Sequence, residues 1–291
     1  MSTILITGAS KGIGFATALA FARTGHTVAA AMRNPNGFPE LAKLAATENL
    51  AIKIYQMDVD SDASVRDGFV RINKEIGPID VLVNNAGIER MGNVEELAID
   101  EFRAVMETNY FGVIRCIHAV LPEMTKRRSG CIINIASVAG RIATPTMGAY
   151  SSSKFALEAL SETLAAEVKS LGIHVAIVEP GIIDTDMARH ITVVPAASKY
   201  SQQERLGALF AASLKTPVPP SIVADKILEI ATNGTWQLRH PVGPDALPFI
   251  GWRQSMSDEA WVDLGAMEDN EWYDRMEGDF SMKIKPEPQP A

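Results

Sequence analysis

Apolar residues follow two rhythms along this chain. Short, nearly unbroken runs at Thr3–Ile6, Thr27–Met32, Ala51–Met57, Asp80–Val83, Cys131–Ala136 and Ile173–Glu179 have the length and β-branching of buried strands. A last strand is expected at Thr235–His240. Between these runs the apolar residues recur at helical spacing: Phe15–Ala22, about Pro39–Glu48, Ser61-Asp62 to Ile76, Ile99–Lys126, and Tyr150 to about Leu171. Ser61 suits a helix N-cap, and Gly172 suits a helix end. Strands alternating with helices predict an α/β fold, a doubly wound parallel sheet in three layers. Sheets of this kind bind ligands at the carboxyl ends of their strands.

Composition narrows the class. The chain has 291 residues, 47% hydrophobic and 21% charged, enough for one large core or two small ones. Net charge is −8 with no basic tract, which disfavours nucleic acid as a partner. No apolar run approaches the roughly 18 residues of a membrane span. The N-terminus enters a strand directly, without a charged leader, so a cytoplasmic location is expected. The two cysteines, Cys116 and Cys131, form neither a C-x-x-C pair nor a cluster with histidine, so no metal site is expected.

Two patterns carry chemistry. Thr7-Gly8-Ala9-Ser10-Lys11-Gly12-Ile13-Gly14 joins the first strand to an Ala-rich helix. Glycines there allow a tight turn and close approach of backbone to ligand. The helix N-terminus then offers free N–H groups to a diphosphate, as in Rossmann-type dinucleotide sites. The second strand ends Met32-Arg33-Asn34, with no carboxylate for a ribose 2′-hydroxyl. Arg33 and Lys11 instead supply two cations, which favours the 2′-phosphate of NADP(H). The other pattern is Tyr150-Ser-Ser-Ser-Lys154, leading into a helix and following Ser137 by thirteen residues. Positions i and i+4 share one helix face. A nearby ammonium favours the phenolate, which suits Tyr150 to acid–base work.

With these residues in view, the sequence resembles the short-chain dehydrogenase/reductase family in its compact, single-domain form, from about Thr3 to Asp186. The glycine turn, including Gly8, Ser10, Lys11, Gly12, Ile13 and Gly14, resembles the family's cofactor turn. Asp58-Val59 resembles the pair bordering the adenine. Asn84-Asn85-Ala86-Gly87 resembles the motif after the fourth strand. Asn109, Ser137, Tyr150 and Lys154 match the catalytic tetrad. Pro180-Gly181, Ile183 and Thr185 match the segment flanking the nicotinamide. The resemblance implies that Tyr150 donates a proton to a carbonyl oxygen and that Ser137 holds that oxygen. It also implies that Lys154 bonds the nicotinamide ribose and that Asn109 anchors a water leading from Lys154. Tyr150 and Lys154 thereby count among the cofactor contacts. A homodimer or homotetramer is implied, pairing the helices that hold Asn109 and Tyr150.

The expected organisation is an oxidoreductase domain over residues 1–240, with a substrate-covering segment at 184–215, and an extension at 241–291. The apolar residues after Thr185 point to a small hydrophobic ketone, aldehyde or alcohol as substrate. Pro241, Pro244 and Pro248 are expected to break regular structure, and the chain from Lys285 onward to be disordered. Trp252, Trp261 and Trp272 could cover the cleft, meet a partner subunit or pack on the chain's own core. Two other readings of the same fold are a catalytically inactive NADP(H) sensor and a lyase or epimerase.

Overall fold

The computed structural model describes residues 1–193 and 198–285. In chain order the elements are β1 (Thr3–Thr7), α1 (Gly12–Arg23), β2 (Thr27–Met32), α2 (Glu40–Thr47), β3 (Ile52–Gln56), α3 (Asp62–Ile76), β4 (Val81–Asn84), α4 (Ile99–Met106), α5 (Gly112–Arg127), β5 (Gly130–Ile135) and α6 (Gly148–Val168). They continue as β6 (Ile173–Pro180), α7 (Asp186–Ile191), α8 (Gln202–Ser213), α9 (Ser221–Thr232), β7 (Arg239–Val242), α10 (Ala246–Gln254), α11 (Asp258–Ala266) and α12 (Asp269–Phe280). The seven strands form one sheet in the order β3-β2-β1-β4-β5-β6-β7. All six neighbouring pairs are parallel. The order reverses direction between β1 and β4, the topological switch point where such sheets open a crevice.

Period-two alternation divides the strands between two cores. Leu5, Leu82, Ile132 and Ile177 face α3, α5 and α6 through Phe69, Val120 and Leu157. Ile4, Ile6, Val83 and Ile133 face α1 and α9 through Phe21 and Ile227. Both faces of the sheet are therefore buried, as a parallel sheet requires. A third apolar cluster lies beyond the strand ends. It joins Ile142, Met147 and Ile182 to Leu206 and Leu209 of α8 and to Phe249, Ile250, Tyr273 and Met276 of the C-terminal helices.

Three expectations change. The single helix expected over Ile99–Lys126 is two helices, joined by a π-helical turn at Glu107–Phe111. The last strand lies at Arg239–Val242, beginning four residues and ending two residues later than the expected Thr235–His240. Gln237 instead turns back, its amide donating to the Arg239 carbonyl at 2.7 Å. Nor do Pro241 and Pro248 break regular structure. Pro241 lies in β7, an edge strand, where a missing N–H is tolerated. Pro248 lies in the first turn of α10, where the N–H has no helical partner in any case. The expectation of disorder falls on residues that, Lys285 apart, lie outside the described ones, as do Val194 and Pro195 of the substrate-covering segment.

Candidate active site

The strand ends converge on one cavity of about 1050 Å³, lined by the glycine turn, the loops after β2, β4, β5 and β6, and helices α6 to α8 and α10 to α12. The glycine turn is shaped by its neighbour across the switch point. Gly8 has φ +67°, and a Cβ there would stand 2.7 Å from the Ala86 Cα. A Cβ on Gly14 would collide with the Asn85 amide and the Gly8 carbonyl. Asn85 Nδ2 donates to the carbonyls of Thr7 at 2.9 Å and Gly8 at 3.1 Å. Thr7 Oγ1 accepts from the backbone N–H groups of Asn85 and Ala86, both at 3.0 Å. This clamp leaves the start of α1 with no side-chain cap, so its first N–H groups are available to an anion. The cradle fits a dinucleotide diphosphate. Ser10, Lys11, Gly12 and Ile13 line it, Gly87, Pro180, Gly181, Ile183 and Thr185 line the same cavity further on, and a Gly12 Cβ would press on Thr185 Cγ2 at 3.3 Å.

At the β2 and β3 end the cavity is lined by Met32, Arg33, Asp58 and Val59. Both expected phosphate-binding cations have acidic neighbours. Lys11 Nζ meets Asp186 at 2.8 Å, and Arg33 lies 4.0 Å from Asp60. Asp60 was not singled out from the sequence. It accepts a hydrogen bond from Thr108 Oγ1 at 3.0 Å, and burial raises its carboxyl above the usual range. Its proximity to Asp58 in the sequence was the available signal.

At the other end, Ser137 follows β5 and shares a hydrogen bond with Tyr150 of α6. Its Oγ also accepts from Ala139 N at 3.1 Å. Lys154, one turn along, is buried and donates to the Ile135 carbonyl at 2.7 Å, with Nζ 5.5 Å from the Tyr150 ring centroid. Asn109 sits in the π-helical turn, which turns its amide away from its own helix. Its Oδ1 accepts from Ile88 N at 2.8 Å, while Nδ2 donates to Ile88 O at 2.9 Å and Ser153 Oγ at 3.0 Å. Ser153 Oγ in turn donates to the Tyr150 carbonyl at 2.7 Å. Asn109 and Tyr150 are thus linked through Ser153, Ser137 meets the Tyr150 side chain, and Lys154 lies beside the Tyr150 ring.

The electrostatics differ from the sequence expectation. Burial pushes the Tyr150 phenol up to about 12, with the nearby Glu89 adding to the rise and the Ser137 hydrogen bond opposing it. Burial pulls the Lys154 ammonium down to about 8, opposed by Glu158 one turn further along α6. A lysine whose own charge is penalised, and whose N–H groups serve a backbone carbonyl, does not draw the phenol toward neutrality here.

The C-terminal extension completes the cavity. Trp252, Trp261, Trp272, Phe249 and Met276 line it opposite Leu206, Leu209 and Phe210. Trp261 Nε1 donates to the Ala143 carbonyl at 3.0 Å, and Trp252 packs edge-on to Trp261 at 5.3 Å. Buried Arg205 ties α8 to this roof through Asp269 at 2.6 Å and the Met267 carbonyl at 2.6 Å. Asp245 was also missed from the sequence. Its Oδ2 accepts from Ile182 N at 2.7 Å, and its carboxylate occupies the space a Gly181 side chain would need. No local signal marks it, because its partner lies in another element.

The pattern of the short chain dehydrogenase family matches residues 2–193. The chain belongs to that family. It is 36% identical over 267 residues to oxidoreductase BOA17 of Botryotinia fuckeliana, covering 89% of this chain and 96% of the relative. It is 42% identical over 183 residues to 3-ketodihydrosphingosine reductase of Bacteroides thetaiotaomicron, covering 62% of this chain and 64% of that one. The crystal structure of a short-chain dehydrogenase from Streptomyces avermitilis superposes with a TM-score of 0.77 at 32% identity, covering 95% of this chain and 97% of that one. The chain is accordingly an oxidoreductase of a family that uses a nicotinamide cofactor. Among the described residues no helix is long and apolar enough to cross a membrane, and no group of three His, Cys, Asp or Glu side chains could hold a metal ion.

Proposed function

We propose that this short-chain dehydrogenase interconverts a hydrophobic ketone or aldehyde and its alcohol, with NADP(H) as cofactor and Tyr150 as the acid–base group. The observation that carries the proposal is the continuity of the cavity, which runs from the glycine turn past Ser137, Tyr150 and Lys154 to a chamber walled by aromatic and aliphatic side chains. A relative named as a reductase of 3-ketodihydrosphingosine supports a carbonyl substrate.

When bound, the nicotinamide supplies or takes the hydride. The residues of the chain manage the proton and the charge. With its phenol pushed up to about 12, Tyr150 holds its proton at neutral pH and stands ready to give it to a carbonyl oxygen. Ser137 Oγ donates to that same oxygen and stabilises the charge that builds there. Lys154, which now donates to the Ile135 carbonyl, would hold the nicotinamide ribose and would supply a proton behind Tyr150. Asn109 fixes the Ile88 backbone beside them. Helices α7, α8 and α10 to α12 cover the substrate and keep water from it.

Lys11 and Arg33 are both more than half exposed, so their ion pairs with Asp186 and Asp60 are weak and yield readily to a 2′-phosphate. Those same two acids favour a second reading, in which the chain prefers NAD(H). Cofactor absorbance with NADPH and with NADH, over aromatic ketones, steroids, retinal and aliphatic aldehydes, tests the proposal. Turnover of apolar carbonyls with an NADPH preference is the expected result. Absence of net cofactor oxidation with every member of the panel would count against it.

A further inference from the structure

Glu89 is an acid at the substrate end of the cavity, where apolar side chains predominate and His190, Gln202 and Arg205 are among the polar ones. It follows the Asn84–Gly87 motif by two residues and is 8% exposed, yet it lines the cavity. The residue before it is held by the tetrad itself, since Asn109 bonds both the N–H and the carbonyl of Ile88. Gly87, two residues earlier, lies so close that a Cβ on it would stand 3.8 Å from Lys154 Nζ. The Glu89 charge is felt at Tyr150, where it favours the protonated phenol. One carboxylate oxygen, Oε1, meets His190 Nδ1 of α7 at 2.7 Å. Among the described residues no hydrogen bond reaches the other oxygen, Oε2. The adjacent cation does not serve it either, because Arg90 turns outward to Glu101 at 2.5 Å and to the Glu89 carbonyl at 2.8 Å.

A buried carboxylate is costly unless its oxygens find donors. Oε2 is left to take a donor from water or from a ligand in the cavity that Glu89 lines. Resting on the reading above, that the cavity takes a carbonyl or alcohol at Tyr150, we propose that Glu89 sets specificity by receiving a hydroxyl or ammonium carried by the substrate beside its reacting carbon. The substrate class is then an amphiphile. Its head bears two vicinal polar groups, one at Tyr150 and Ser137 and the other at Glu89. Its apolar remainder lies among Leu206, Leu209, Trp252 and Trp261. His190 holds Oε1 so that Oε2 faces the ligand.

Three ligands of one chain length test this: a vicinal amino alcohol, a vicinal diol and a plain secondary alcohol. Their binding to the full chain is measured by calorimetry with reduced cofactor present, so that no oxidation intervenes. The wild type should bind the amino alcohol or the diol about tenfold or more tighter than the plain alcohol, the range of a hydrogen bond to a charged group. Glu89→Gln should bring the three to within about threefold, and Glu89→Asp should keep part of the preference. A gain for the amino alcohol alone identifies an ammonium, and a gain for both identifies any donor. Wild-type affinities within about threefold of one another would overturn the proposal without recourse to any variant. So would a Glu89→Gln protein that binds all three more weakly by one factor, which would mark Glu89 as a strut for α7. Turnover of the matching plain ketone is followed separately. Turnover without a binding preference sinks the role of Glu89 alone. A preference with no turnover of this ketone or of its amino- and hydroxy-substituted counterparts sinks the carbonyl reading and leaves Glu89 as a recognition residue.

Discussion

Lys154 is a charge kept where charge is unfavourable, and that has a measurable sign. Its ammonium falls from 10.5 to about 8 in the folded chain. Between those values the unfolded chain holds more protons than the folded one, so stability rises with pH through this window. Denaturant unfolding of the wild type and of Lys154→Met, at stepped pH, should show the wild type gaining on the variant from about pH 8 to 10.5. A constant difference would mean that Lys154 is not desolvated as described. The cofactor-choosing residues also belong to this scale. Arg33 can contact a phosphate bidentately, whereas Lys11 is a point charge, so Arg33 should carry more of the preference for NADPH. Met32→Asp with Arg33→Ala should move the kcat/KM ratio toward NADH, and an unchanged ratio would show that Arg33 does not read the phosphate. Residues whose partners are close in sequence or set by a motif were legible in advance, among them Gly8, Gly14, Tyr150 and Lys154. Asp60 and Glu89 were not, because a carboxylate in a loop gives no sign of which way it points.

At the level of elements, periodicity located the first six strands and most helices but misplaced β7 and misjudged two joints. The run Ile99–Lys126 is apolar-periodic throughout, so nothing in it marks the π turn that directs Asn109 at Ile88. The prolines after β6 read as breakers because their effect depends on context: an edge strand accepts Pro241 and a first helical turn accepts Pro248. The join between β6 and α10 depends on Gly181, whose missing side chain admits Asp245. Gly181→Ala should cost about 1–3 kcal/mol in denaturant unfolding, the range for overpacking. Adding Asp245→Ala should recover part of that loss, since the collision goes with the carboxylate. If the double variant is no more stable than Gly181→Ala, the contact is not the cause.

The molecule as a whole combines a sheet that builds a dinucleotide site with C-terminal helices that roof it. The sheet, its parallel sense and the convergence of motifs at its carboxyl edge followed from strand–helix alternation alone. The roof did not, because Trp252, Trp261 and Trp272 show only that apolar surface must be covered, and the fold decides by what. Phe111 at 45% and Phe155 at 43% are exposed on the helical layer that holds Asn109 and Tyr150. They motivate a symmetric homo-oligomer pairing these helices. Light scattering should give a dimer or tetramer mass, and Phe111→Ser with Phe155→Ser should lower it; a monomer mass for the wild type across the micromolar range contradicts the pairing. The central claim, that Tyr150 moves the proton in an NADP(H)-dependent carbonyl reaction, is tested most directly by kcat for a long-chain ketone with NADPH, wild type against Tyr150→Phe. A fall of roughly 10²–10⁴-fold, with NADPH affinity retained, is the predicted result. A variant that keeps more than about a tenth of the wild-type kcat would show that the proton comes from elsewhere.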